Sequence, residues 1–350
     1  MLYFIHYKEK RIMNYLNLIR YKNLIFLTFL MCLMHYTVAS PLLKVFKIES
    51  VGPDGAFWLM TIGVVLIAAA GYAINDYFDT KIDALNKPDK VIVGVTISRD
   101  ATSRLYQILM GAGIACGIAT AIWAKSLSIG LIFIIAPGLL WFYSASYKRQ
   151  FLIGNLIVSL CSALAILLVA EFEASFLTKN YGIFVTQAGV NYNLYLWIGG
   201  FALFAFLLTF IREIVKDIED EYGDRELESR TMPVVWGAKK TKVFLYAVIF
   251  ITILCALAFT ANILFPSAKT FTFLGREMDM LSFRYVLCAV VAPLLVTVIL
   301  LARAKRISDY TQISKFVKFI MLTGALYSVI FYFQLARVYG LQLFNLFIIK

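Results

Sequence analysis

The sequence predicts an all-α polytopic membrane protein, a bundle of nine transmembrane helices, on three observations. Of its 350 residues 61% are hydrophobic and only 15% charged, where a soluble domain carries about 25% charged residues. The apolar residues gather in nine runs that suit helical crossings of roughly 20 residues each. The Lys and Arg residues fall between those runs, with a strong bias to one side. In lipid only helices and closed barrels satisfy their own backbone, and these runs are too long for barrel strands.

In order, the spans read as 24–40, 57–75, 105–124, 127–145, 152–170, 194–211, 243–263, 282–301 and 317–336. They form one transmembrane domain over 24–336, between an N-terminal tail of 1–23 and a C-terminal tail of 337–350. Nine crossings put the N-terminus and every second loop on one face. That face holds 24 of the 33 Lys and Arg residues, so it is the expected cytoplasmic face. Eight or ten spans would move only the C-terminal tail, whose Arg337 and Lys350 barely discriminate. The expected location is the plasma (inner) membrane of a bacterium. The start up to Lys22 is polar and basic, and no small-residue cleavage site follows the first run, so no cleavable signal peptide is expected. The polar stretch 171–193, on the opposite face, reads as a surface loop or a re-entrant segment.

Several function classes drop out. The net charge of +12 is not gathered into one stripe, which argues against nucleic acid. The five cysteines lie inside apolar runs without a C-x-x-C and read as small hydrophobes. No nucleophile–base set, Gly-rich phosphate loop or His/Cys metal cluster is present. His6 lies in the tail and His35 within the first span.

The acidic residues carry the functional signal. Twelve of 21 occupy two short stretches, 76–89 and 213–228. Both contain D-x-x-D-x-x-x-D, as Asp76, Asp79 and Asp83 and again as Asp217, Asp220 and Asp224. On a helix, positions i, i+3 and i+7 share a face, so each set forms an acidic stripe, with Asn75 in line with the first. Like charges at that spacing repel. A cation reverses the sign of that term, and oxygen-only ligands favour a hard ion such as Mg²⁺. Four spans separate the stripes, so both open on one face and can clamp a diphosphate between them. Solvated loop charge is the bland reading. The repeated spacing and the growth of the first stripe from an unbroken apolar helix oppose it.

These residues resemble the UbiA superfamily of intramembrane prenyltransferases. Asn75, Asp76, Asp79 and Asp83 match its N-D-x-x-D-x-x-x-D, and Asn86-Lys87-Pro88-Asp89-Lys90 resembles its N-x-P-x-R/K segment. Asp217, Asp220, Gly223 and Asp224 match its D-x-x-D-x-x-G-D, followed by Thr231-Met232-Pro233 and Gly237. Tyr143-Ser144, Lys148-Arg149 and Gly154-Asn155 resemble the segment opening the fifth span. The strings AAAGYAINDYFD and WFYSASYKRQFLIGN are similar to the digeranylgeranylglyceryl-phosphate-synthase-like branch.

The resemblance covers about 14–335. It implies the UbiA nine-helix bundle, Mg²⁺ dependence, a prenyl diphosphate donor (geranylgeranyl diphosphate for that branch) and a lipophilic acceptor such as a glycerol-phosphate prenyl ether. An aromatic acceptor of quinone or haem biosynthesis stays open. No protein partner is implied.

On this reading Asp76, Asp79 and Asp83 hold one Mg²⁺ and Asp217, Asp220 and Asp224 another, as the catalytic groups. Asn75, Tyr72, Lys81, Lys87, Lys90, Tyr143, Lys148 and Lys216 are the substrate-binding candidates, with Arg99 a further cation. Each lysine has positive-inside topology as its plain alternative, and Tyr72 has core packing. A rival of another class, a cation transporter, expects carboxylates near the bilayer midplane, whereas these lie at span ends. A membrane alcohol phosphotransferase lacks its D-G-x-x-A-R start here.

Overall fold

The computed structural model describes residues 12–48, 52–86, 88–182, 189–264, 279–343 and 347–348. Among these, nine helices are long and apolar enough to cross a membrane: α1 (Tyr21–Val45), α2 (Asp54–Asn86), α3 (Arg99–Ala124), α4 (Leu127–Ala145), α5 (Ile153–Tyr181), α6 (Val190–Glu226), α7 (Met232–Phe259), α8 (Met280–Arg303) and α9 (Ile307–Tyr339). A short helix over 12–18 precedes α1. A two-residue antiparallel pair, Gln342–Leu343 with Phe347–Ile348, follows α9.

The helix ends follow local chemistry. Ser98 caps α3 by accepting the Ala101 amide at 3.2 Å, and Ser126 caps α4 through the Ile129 amide at 3.4 Å. Arg20, in the left-handed region at φ 52°, turns the chain from the short helix into α1. Gly237, at φ 77°, breaks α7 after its first turn, a conformation that glycine adopts without steric cost.

The bundle has an inner and an outer ring. In the most apolar window of each helix, 50% of α2 and α5 and 56% of α6 is buried, against 22% of α3 and α4. The outward faces of the latter pair present Ile108, Ile122 and Leu127, as lipid-facing helices do. α2 packs along α3, α5 along α6, and α6 also along α7 and α9. One apolar core cluster runs through all of these helices.

Each predicted span falls on one of these helices, but several helices outrun the apolar run. α2 continues through its acidic stripe to Asn86, α6 through its own to Glu226, and α9 begins ten residues before the expected start. Hydropathy marks where lipid contact ends, while a helix ends where its backbone is capped or broken. The same effect corrects the reading of 171–193. α5 continues to Tyr181 and stops at Gly182, and α6 starts after Gly189, so most of that stretch is helix rather than surface loop or re-entrant segment. Residues 183–188 lie outside the described residues, as does His6.

Candidate active site

Asp76, Asp79 and Asp83 lie along the last turns of α2, and Asp217, Asp220 and Asp224 along the last turns of α6. All six border a single cavity of about 1030 Å³ at that end of the bundle. Asn75, Tyr72, Tyr143, Lys148 and Lys216 border it as well. Thus two stripes more than 130 residues apart in sequence face one space.

Not every expected cation is there. Lys81 is exposed and does not line the cavity. It sits two residues after Asp79, about 200° around the helix, so the phase that brings Asp79 in turns Lys81 out. Arg99 donates to Thr80 Oγ1 at 3.2 Å and lies over the Tyr77 ring, outside the cavity wall. Lys87 and the side chain of Lys90 lie outside the described residues.

Four of the six acidic side chains are held by specific partners. Lys148 Nζ pairs with Asp79 and reaches Asn75 Oδ1 at 3.4 Å, while Asn75 Nδ2 donates to Asp79 Oδ2 at 2.8 Å. Arg20 Nη2 donates to Asp76 Oδ1 at 2.9 Å, and its guanidinium lies 4.9 Å from the Tyr72 ring centroid. On the other stripe Asn155 Nδ2 donates to Asp217 Oδ2 at 2.8 Å, and Thr231 Oγ1 to Asp224 Oδ2 at 3.0 Å. Burial pushes the Lys148 ammonium below its usual value, against the opposing pull of Asp79.

The loop that carries Lys148 is itself fixed. A Cβ on Gly154 would lie 2.6 Å from Lys148 Cα, so only glycine lets the 147–149 turn fold back onto the first turn of α5. Arg230 N donates to Arg149 O at 2.7 Å, which ties this turn to the segment after α6.

Asn86 joins the two stripes. Its Oδ1 accepts the Gly223 amide at 2.9 Å and its Nδ2 donates to the Asp220 carbonyl at 3.3 Å. A Cβ on Gly223 would meet that amide at 2.4 Å. The last residue of α2 therefore reads the backbone of α6 between its second and third aspartates, and the glycine leaves room for it. This gives physical content to the Asn86 and Gly223 positions of the resembled motifs.

Four charged groups in the wall escaped the sequence reading: Arg20, Arg212, Glu213 and Lys318. Glu213 accepts from Arg212 at 2.6 Å and from Lys216 at 3.0 and 3.2 Å. Lys318 Nζ donates to Asn23 Oδ1 at 2.6 Å. The cations look like topology charge in sequence, since each sits near the edge of an apolar run.

The donor set suits a hard divalent cation: it is oxygen only, with six carboxylates, two of them oriented by amides. As the side chains stand, no three of the described His, Cys, Asp and Glu residues surround one point. Lys148 and Arg20 balance Asp79 and Asp76 in their place.

The comparisons with known proteins agree with this architecture. The model of the UbiA prenyltransferase family matches residues 45–322. A digeranylgeranylglyceryl phosphate synthase of Methanosphaera stadtmanae is 33% identical over 195 residues, 56% of this chain and 62% of the relative. One from Sulfurisphaera tokodaii is 35% identical over 185 residues, 52% and 58% respectively. The matched part thus spans about three-fifths of the length of these relatives. A solved structure concerned with digeranylgeranylglyceryl phosphate synthase in membranes superposes with a TM-score of 0.60 at 22% identity, covering 93% of this chain and 99% of that one. A UbiA homolog from Archaeoglobus fulgidus bound to GPP and Mg²⁺ superposes with 0.52 at 17% identity, covering 89% and 98%. At these identities the two structures share the fold.

Proposed function

The chain belongs to the UbiA prenyltransferase family, and from that premise we propose that it transfers an isoprenoid chain, geranylgeranyl in our reading, from its diphosphate to a hydroxyl of a lipophilic glycerol phosphate ether. The observation that carries this is the convergence of six carboxylates and Lys148 on one cavity that continues into an apolar wall of residues such as Leu30, Ile67 and Leu168. The archaeal relatives, named for a glyceryl phosphate with two geranylgeranyl chains, support the choice of acceptor. We place the mouth in the cytoplasm, on the positive-inside count of the chain, in a plasma membrane. The bacterial source expected above rests on the sequence alone.

Asp76, Asp79 and Asp83 would hold one Mg²⁺ and Asp217, Asp220 and Asp224 the other. Bound there, Mg²⁺ supplies charge neutralisation for the diphosphate as it leaves. The chain's own residues do the rest. Lys148, fixed by Asp79 and Asn75, presents a cation to the diphosphate oxygens. Asn155 and Thr231 hold Asp217 and Asp224 in place, so little reorganisation is needed at the moment of reaction. The apolar wall keeps water from the allylic carbon once its bond to oxygen breaks. The acceptor oxygen then bonds to that carbon, and its proton passes to a carboxylate of the stripes.

The test is a transfer assay on the full chain in lipid nanodiscs, with labelled allylic diphosphates and a panel of acceptors. Product is expected from the glycerol phosphate ether, lost on chelation of divalent ions and restored by Mg²⁺. Product from an aromatic acceptor alone would move the chain to quinone or haem chemistry. Metal-independent turnover would end the two-ion reading.

A further inference from the structure

On the prenyl-transfer reading, the diphosphate draws on the acidic stripes and on Lys148. The wall formed by α1, α6 and α9 carries a second set of charges that this leaves unused. Lys318 stands eleven residues into α9, about 16 Å from its start at 1.5 Å per residue. It stands at the edge of the apolar run and borders the cavity rather than an exposed loop, which makes an ammonium there a functional candidate. Its Nζ donates to Asn23 Oδ1, and Asn23 Nδ2 in turn donates to the Tyr72 hydroxyl at 3.4 Å. Among the described residues no carboxylate pairs with it.

Arg212 and Lys216 share one carboxylate, Glu213. With Lys318 they border the same cavity, and with the stripe carboxylates set aside for the metal ions these three cations stand with one carboxylate, a local surplus of positive charge. Arg212 precedes Asp217 by five residues, about 7.5 Å further from the mouth. The surplus therefore faces the part of the cavity beyond the stripes, beside Phe26, whose ring centroid lies 5.7 Å from Lys318 Nζ. Uncompensated charge in such a wall is costly unless a ligand anion completes it.

We infer that Lys318, with Arg212, Lys216 and Asn23, forms a second anion site that takes the phosphate monoester of the acceptor lipid. A monoester carries about −1.5 to −2 at neutral pH, which matches the surplus. Transfer to a hydroxyl leaves that phosphate untouched, so acceptor and product both carry it. The site then fixes the acceptor by its head while its chain lies along the apolar wall. The inference rests on the proposed reaction for the identity of the acceptor, and the experiment separates the two.

Full chain is prepared in phosphatidylcholine nanodiscs as wild type, Lys318→Gln, Lys318→Arg and Arg212→Gln. In the first arm, without donor or Mg²⁺, each is titrated with a glycerol phosphate bearing one ether-linked isoprenoid chain, with its dephosphorylated diol, and with inorganic phosphate. Lys318→Gln is expected to weaken the phosphate lipid about tenfold or more, the worth of one charge-assisted hydrogen bond. The diol should change less than about twofold, and Lys318→Arg should recover most of the loss. Equal loss for lipid and diol, or none for either, overturns the inference. So does a site that takes inorganic phosphate and ignores the lipid.

In the second arm the acceptor KM of Lys318→Gln should rise by a similar factor while the donor KM stays within about threefold. A rise in donor KM instead assigns the patch to the diphosphate and overturns the inference. Arg212→Gln repeats both arms if Lys318→Gln does not fold. If wild type turns over no acceptor at all, the prenyl-transfer reading fails, and the first arm still decides the anion site.

Discussion

Both ends of the bundle bury carboxylates, and they treat them differently. At the mouth end six aspartates border an open cavity, and their partners are long, movable cations and amides. At the far end the half-buried Glu171 accepts from four hydroxyls, those of Ser126, Ser128, Ser175 and Tyr195. Two residues on, and turned to the other side of α5, Glu173 stands against His35 with Oε1 and Nδ1 2.9 Å apart, off the hydrogen-bond line, and with both side chains 1% exposed or less. The His35 ring is stacked 4.0 Å from Phe57 and sits in a π-turn of α1. A carboxylate marks a reactive site when space remains beside it for a ligand. Where protein fills that space, it is a structural tie.

The largest effect should divide the ends cleanly. Asp79→Ala and Asp220→Ala are each expected to lower prenyl transfer by about 10³-fold or more, since each removes a carboxylate that would hold the Mg²⁺ neutralising the leaving group. Glu171→Gln should stay within about threefold. Transfer rates normalised to inserted protein check this, and a comparable fall in Glu171→Gln would dissolve the contrast.

Next comes stability at the far end. Glu173→Ala leaves a void beside the buried His35 ring, with an expected loss of about 2–3 kcal/mol. Unfolding in mixed micelles measures it. Turnover of the surviving folded protein should be unchanged, because neither His35 nor Glu173 borders the cavity.

The staple between the stripes gives a smaller, catalytic effect. Asn86→Ala is expected to lower kcat by about 10- to 100-fold, as small misplacements of catalytic groups do, and to raise the Mg²⁺ concentration needed for half-maximal rate. Gly223→Ala should behave alike, because its methyl would displace the same amide. A change in kcat without any change in Mg²⁺ requirement would mean that Asn86 does not set the spacing of the stripes.

These elements differ in how far the sequence exposes them. The stripes were legible because a helical spacing repeats on residues that grow from an apolar run. The nine spans were legible for the same reason, that lipid leaves few alternatives. Lys81 shows the limit of counting charge, since a loop tally carries no helical phase. Lys318 was hidden by the start of α9, because hydropathy opens the span at 317 and the helix opens at Ile307. The partners of Asn86 lie 134 and 137 residues away, and no local pattern in the chain connects them.

The smallest effect tests whether the far-end tie is only a tie. Ser175 lies one turn after Glu171 on α5 and donates to its Oε1 at 3.2 Å. Ser175→Ala removes one of four hydroxyl donors while alanine improves the helix propensity. The remaining hydroxyls keep the carboxylate satisfied, so the expected loss is about 0.5–1 kcal/mol. Tyr195→Phe, which removes the donor from the neighbouring helix to the other carboxylate oxygen, Oε2, should cost more than Ser175→Ala in the same unfolding measurement. Transfer rates should not move in either variant, since both hydroxyls lie outside the cavity wall. A fall in transfer without a fall in stability would connect the far-end carboxylate to the chemistry at the mouth and remove the distinction between the two.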